Sequence, residues 1–159
     1  MCILWIRFQG NPLMRELEFI AEALGGVTPY VRDRWLTRHT LDVQGKAAGV
    51  NDLLTEVDLE VQRRLVEAIG KAFPGDVVVA EEAGMDQLPG DRRARCWFID
   101  PIDGTQNFVR GMFPEFGVSL AFADEGEMRA GGVGRAGVDI LMVEGKGWGA
   151  TRNSGREQM

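Results

Sequence analysis

The sequence predicts an α+β fold, a layered sandwich in which two N-terminal helices pack on a mainly antiparallel sheet. Three observations lead to it. Apolar residues recur at helical spacing between residues 13 and 72. From Val77 onward they gather instead into short runs bounded by turn residues. And a chain of 159 residues, 45% hydrophobic and 26% charged, can bury one sizeable core but not two.

Taken in order, the N-terminal "MCILWIRFQGNPLM" has no basic leading region, its apolar run breaks at Arg7, and no small-residue cleavage site follows, so it does not read as a signal peptide. No stretch reaches the roughly 18 apolar residues of a membrane span. A helical face takes hold only at Met14, so residues 1–13 are expected to be an upstream extension. Leu13, Leu17, Ile20, Ala21 and Leu24 define the first helix, Gly25-Gly26 is expected to end or bend it, and residues 27–36 continue the pattern weakly. The second helix is clearer. Val57, Val61, Leu65, Ala68 and Ala72 share one face, Thr55 serves as N-cap with Asp58 three residues on, and Pro74-Gly75 stops it. The runs "VVVA", "CWFI", "GVSLAFA", "EMRAGGV" and "DILMVEG" then read as strands, and Asp124-Glu125-Gly126 between two of them signals a hairpin. There is no repeat, low-complexity tract or linker to divide the chain.

Charge and cysteine content exclude several functions. A net charge of -6 and a pI near 4.9, with Lys and Arg scattered, provide no electrostatic footprint for nucleic acid or an anionic membrane. Two cysteines and one histidine make neither a disulfide framework nor the usual zinc set, which favours a cytoplasmic, zinc-free protein.

The stretch "WFIDPIDGTQNF", residues 97–108, carries the chemistry. Asp then Pro favours a β-turn, so a turn over Asp100-Pro101-Ile102-Asp103 is expected to bring its end Cα atoms within about 7 Å and let both carboxylates converge. Gly104 lets the backbone approach a ligand closely, and "TQNFV" can open a helix whose leading amides face an anion. The plain alternative is a solvated turn after a strand. Glu81 and Glu82 end another buried-looking strand, and Asp58 sits in the first turn of the second helix. Each has a plain reading as well, the glutamates as a solvated loop and Asp58 as a capping-box acid. Gathered in space, these carboxylates would repel one another, so a divalent cation is their natural partner, and all-oxygen ligation points to Mg2+.

"DPIDGTQNF", with "AEE" and "DLLTEVD" upstream, resembles the inositol monophosphatase family, whose relatives include fructose bisphosphatases, phosphoadenosine phosphate phosphatases and some histidinol-phosphate phosphatases. The resemblance runs from about Leu17 to Asn153. It implies that Glu81, Asp100 and Asp103 are Mg2+ ligands, with the Ile102 carbonyl as a further one and Glu81 serving catalysis as well. It implies too that Thr105, supported by Asp58, orients and helps activate the attacking water, while the amides of Gly104 and Thr105 hold the phosphate. The implied activity is Mg2+-dependent hydrolysis of a small phosphate monoester, inositol monophosphate-like or a related sugar or nucleotide phosphate, by metal-activated water. A homodimer is a further expectation of the resemblance.

Departures from the family pattern are also legible. Ala80 stands where glycine is usual, one extra residue lies near Phe113, and Lys46, twelve residues before Asp58, is one residue off the family spacing and reads as a solvated loop lysine. The family's second half carries a further metal-binding aspartate in a Trp-Asp motif, whereas Trp148 here precedes Gly149. Residues 14–159 are thus expected to be the N-terminal metal-binding domain without the C-terminal one. The alternative function is a truncated, inactive domain that self-associates through its uncovered face. A calcium-binding or structural acidic module is disfavoured, because calcium loops place their acids on alternate residues of one loop.

Overall fold

In the computed structural model, which describes residues 13–41, 43–45, 53–82, 84–112, 115–135, 139–144 and 151–154, the first element is helix α1, Met14–Leu36. It is continuous over 23 residues, straight through Gly25-Gly26 and Pro29. The helix therefore does not end at Gly25-Gly26, and the magnitudes show why. Pro29 costs a helix interior roughly 3 kcal/mol and each glycine roughly 1. Against this, Leu17, Ile20, Leu24, Val27 and Val31 are all buried, at roughly 2 kcal/mol or more apiece. Packing outweighs propensity.

A two-stranded ribbon, β1 (Val43–Gly45) and β2 (Leu53–Thr55), leads into helix α2, Glu56–Ala72. Thr55 caps α2 through a reciprocal capping box with Asp58. The buried face of α2 is Val57, Val61, Leu65 and Ile69, joined by two polar residues, Asp58 and Gln62.

Among the described residues six strands form one sheet in chain order: β3 (Val77–Ala80), β4 (Cys96–Asp103), β5 (Gly117–Asp124), β6 (Glu127–Arg135), β7 (Asp139–Glu144) and β8 (Thr151–Ser154). Only the β3–β4 pair among them is parallel, so the sheet is mainly antiparallel, as expected. β5 and β6 form the expected hairpin, and its two turn residues, Glu125 (φ 54°) and Gly126 (φ 75°), have the left-handed pair of a type I′ turn.

The sheet alternates between its two faces. Trp97, Ile99, Val118, Leu120, Phe122 and Ala130 are buried toward the helices. Trp97 stacks within an aromatic cluster of Phe19, Phe73 and Phe122, with ring centroids 4.9–5.1 Å apart. Arg95 ties this layer together from its edge, donating to Glu16 of α1 at 2.8 Å and to Asp76 at 3.0 Å. Phe98, Asp100, Ser119, Ala121, Gly131 and Val133 lie half-buried on the other face. No described helix is long and apolar enough to cross a membrane.

Candidate active site

The site lies where the C-terminal ends of β3 and β4 meet the starts of α2 and of a short helix α3, Thr105–Arg110. Asp58 enters from α2 and is 1% exposed. Its Oδ2 accepts from the Thr55 N–H at 2.9 Å and from the Thr55 hydroxyl. Its Oδ1 lies 3.1 Å from Thr105 Oγ1, 47 residues along the chain. Thr105 Oγ1 is also 3.0 Å from the Ile102 carbonyl. A hydroxyl has one proton, so it serves one acceptor at a time and keeps lone pairs for a third group. Burial pushes the Asp58 carboxyl up despite the bonds from Thr55 and Thr105, which pull it down.

The segment read as a β-turn is instead the bulged end of a strand. β4 continues to Asp103, and its pairing with β5 jumps from Asp100 opposite Ser119 to Asp103 opposite Gly117. Three steps on β4 face two on β5, so one residue is extra and the strand end is re-aimed. Pro101, with no N–H to give a ladder, is tolerated at such a bulge. Gly104 then takes φ 86°, and a Cβ there would sit 2.9 Å from the Glu115 carbonyl oxygen. Its glycine is required by that left-handed φ and by neighbouring backbone. The Glu115 carbonyl also accepts from the Asn107 side chain at 2.9 Å, closing the loop beyond α3.

Glu81 and Glu82 follow β3. The Glu81 N–H donates to the Ile99 carbonyl at 3.2 Å, and its side chain is exposed. Glu82 is 5% exposed, so the reading of both glutamates as a solvated loop fails for Glu82. Its main chain is held by Gln62, which α2 buries one turn beyond Asp58.

Asp100 is the electrostatic centre. Burial first, then the charges of Glu81 and Asp103, push its carboxyl up to about 7, with a hydrogen bond shared with Glu81 and a smaller push from Asp58. Its Oδ1 is buried without a hydrogen-bond partner. A buried carboxylate oxygen lacking a donor, in a group that mutual repulsion makes hard to ionise, is what an oxygen-seeking cation relieves. The donor set therefore fits a divalent cation in chemistry. As they stand, no three His, Cys, Asp or Glu side chains among the described residues are gathered tightly enough to enclose one.

Of the residues singled out in the sequence, Asp58, Ile102 and Thr105 are joined by hydrogen bonds, and Asp100 feels the charges of Glu81, Asp103 and Asp58. Gly104 links the two groups in the chain. Ala80 is buried at the end of β3 opposite Ile99. Lys46, Phe113 and Trp148 lie outside the described residues. Gln62 escaped the sequence reading, although a glutamine beside Val61 on an apolar helix face was a signal. Asp86 and Ser119, which line an open groove of about 580 Å³ with Glu81 and Asp100, gave none.

The sequence model of the inositol monophosphatase family matches residues 14–159. A fructose-1,6-bisphosphatase/inositol-1-monophosphatase of Thermotoga maritima is 37% identical over 143 residues, 90% of this chain and 52% of that protein. The Nus factor SuhB of Vibrio cholerae is 36% identical over 114 residues, 72% of this chain and 42% of its own length. Among solved structures, an IMPase of Thermotoga maritima superimposes with a TM-score of 0.75 at 39% identity, covering 88% of this chain and 52% of that one. The chain spans about half the length of the relatives it matches.

Proposed function

The chain belongs to the inositol monophosphatase family, and from that premise we propose that it is the metal-bearing half of a Mg2+-dependent phosphomonoesterase acting on a small sugar, inositol or nucleotide phosphate. Glu81, Asp100, Asp103 and the Ile102 carbonyl would hold the cation. When bound, such a cation activates water and neutralises charge on the phosphoryl and leaving oxygens.

The chain's own groups supply the rest. Asp58 is fixed by Thr55 on one oxygen and takes Thr105 on the other, so the Thr105 hydroxyl donates inward and turns a lone pair outward. That lone pair accepts a hydrogen bond from a water and fixes its direction of attack. Burial raises the proton affinity of Asp58, which suits it to share charge through Thr105. The amides of Gly104 and Thr105, at the start of α3, would receive the phosphate oxygens.

One observation carries this reading: the Thr105–Asp58 bond of 3.1 Å joins α2 to α3 beside the Glu81–Asp100 carboxyl pair. The test is phosphate release from a panel of sugar, inositol and nucleotide monophosphates, with Mg2+ and with chelator. Release is expected only with Mg2+ and should fall to background in Asp103→Asn. Release indifferent to chelation or to Asp103→Asn overturns the reading. A second reading, an inactive half that self-associates, is favoured by the apolar groove on the sheet face away from the helices, and silence across the whole panel would select it.

A further inference from the structure

We propose that Gln62 is a positioning residue that sets Glu81 against Asp100; this rests on the reading of Glu81 as a cation ligand. Gln62 is 4% exposed on α2, and its carboxamide satisfies both main-chain polar groups of Glu82. Nε2 donates to the Glu82 carbonyl at 2.7 Å, and the Glu82 N–H donates to Oε1 at 2.9 Å. Reversing the amide would break both bonds, so the pair admits one orientation. The Glu82 carbonyl also accepts from the Met85 N–H at 3.4 Å, so it is held from both α2 and the turn, while Gln62 Oε1 takes the Glu82 N–H.

The peptide so clamped directly follows Glu81. On its other side the Glu81 N–H is bonded to the carbonyl of Ile99, the residue before Asp100. The Glu81 Cα is therefore held between α2 and β4. The turn is closed by Ala80 N–H to the Met85 carbonyl at 2.9 Å, and Gln62 Nε2 reaches Met85 Sδ at 3.7 Å. The exposed Glu81 side chain meets Asp100 through a hydrogen bond, and the anchored main chain sets the point from which it reaches there. Asp58 and Gln62 are four residues apart, hence neighbours on one helix face. A single turn of α2 thus fixes both the acceptor for Thr105 and the platform for Glu81.

Residues that orient ligands without touching the ion typically contribute about 10- to 100-fold in metal affinity. The test is Mn2+ binding by the full chain at pH 7.5, read from the electron paramagnetic resonance of free Mn2+. Gln62→Met is expected to weaken binding by about 10- to 100-fold. Ile69→Val, on the same buried face, should lower the thermal midpoint and leave Mn2+ affinity unchanged, which separates positioning from general stability. If Gln62→Met does not fold, Gln62→Asn, one methylene too short to span both bonds, carries the same expectation. Wild-type affinity in the Gln62 variant, with affinity lost in Glu81→Gln, overturns this inference alone. Unchanged binding in Glu81→Gln, or no Mn2+ bound by the unaltered chain, overturns the reading of Glu81 and this inference with it.

Discussion

Asp58 divides its oxygens between two tasks: Oδ2 closes the capping box with Thr55, and Oδ1 receives Thr105. The plain and the chemical readings of this residue are therefore compatible. "TEVD" announces the cap locally, whereas a bond to a threonine 47 residues away is invisible until the helix docks. Asp100 offers the sharpest prediction at this scale. Its carboxyl is pushed from 3.8 to about 7 in the folded chain by burial, Glu81 and Asp103. Between those values the folded state holds a proton that the unfolded state has released, so stability falls as pH rises through the window. The metal-free chain should thus melt at a higher temperature at pH 5.5 than at pH 7.5. Asp100→Asn should flatten that difference and raise the pH 7.5 midpoint in EDTA. An unaltered pH slope in the variant, followed by calorimetry, would refute the assignment.

At the scale of elements, α1 lies on the sheet with no spare room. A Cβ on Gly134 of β6 would sit 2.4 Å from Thr28 Cγ2 and 3.4 Å from Leu24 Cβ. Thr28 is β-branched and stiff in a helix, so it cannot swing aside cheaply. Gly134→Ala should destabilise by about 1–3 kcal/mol through overpacking. Thr28→Ser removes the opposing methyl, and the double variant should recover most of the loss. Strictly additive effects in urea unfolding would show that the two positions are not in contact. The same layer explains the uninterrupted α1. Gly25-Gly26 and Pro29 are correct local signals for a break, but they are outweighed by apolar contacts that a window of a few residues does not contain. By contrast "FADEGEM" was readable as a hairpin, because a type I′ turn depends on its own two residues.

For the molecule as a whole, one face of the sheet is sealed by helices and the other is half-buried, with Phe98, Ala121 and Val133 around an open groove of about 580 Å³. Exposed apolar surface of that kind favours association. The isolated chain should bind a hydrophobic dye and show a mass that rises with concentration in sedimentation. Ala121→Lys, in the lining of the groove, should suppress both. A monomer at every concentration with no dye bound would remove the support for the self-associating reading. Sequence alone determined the two long helices, the strands from Val77 onward, the cap of α2, the β5–β6 hairpin and the inventory of acids, because each depends on neighbours a few residues apart; it did not announce the ribbon of β1 and β2. Only tertiary structure decided that Asp100 to Asp103 is a bulge and not a turn, that α1 does not break, that Glu82 is buried, and that Gln62 grips its main chain. Those outcomes depend on strand register and on burial against distant segments, and these energies arise only when the chain has closed on itself.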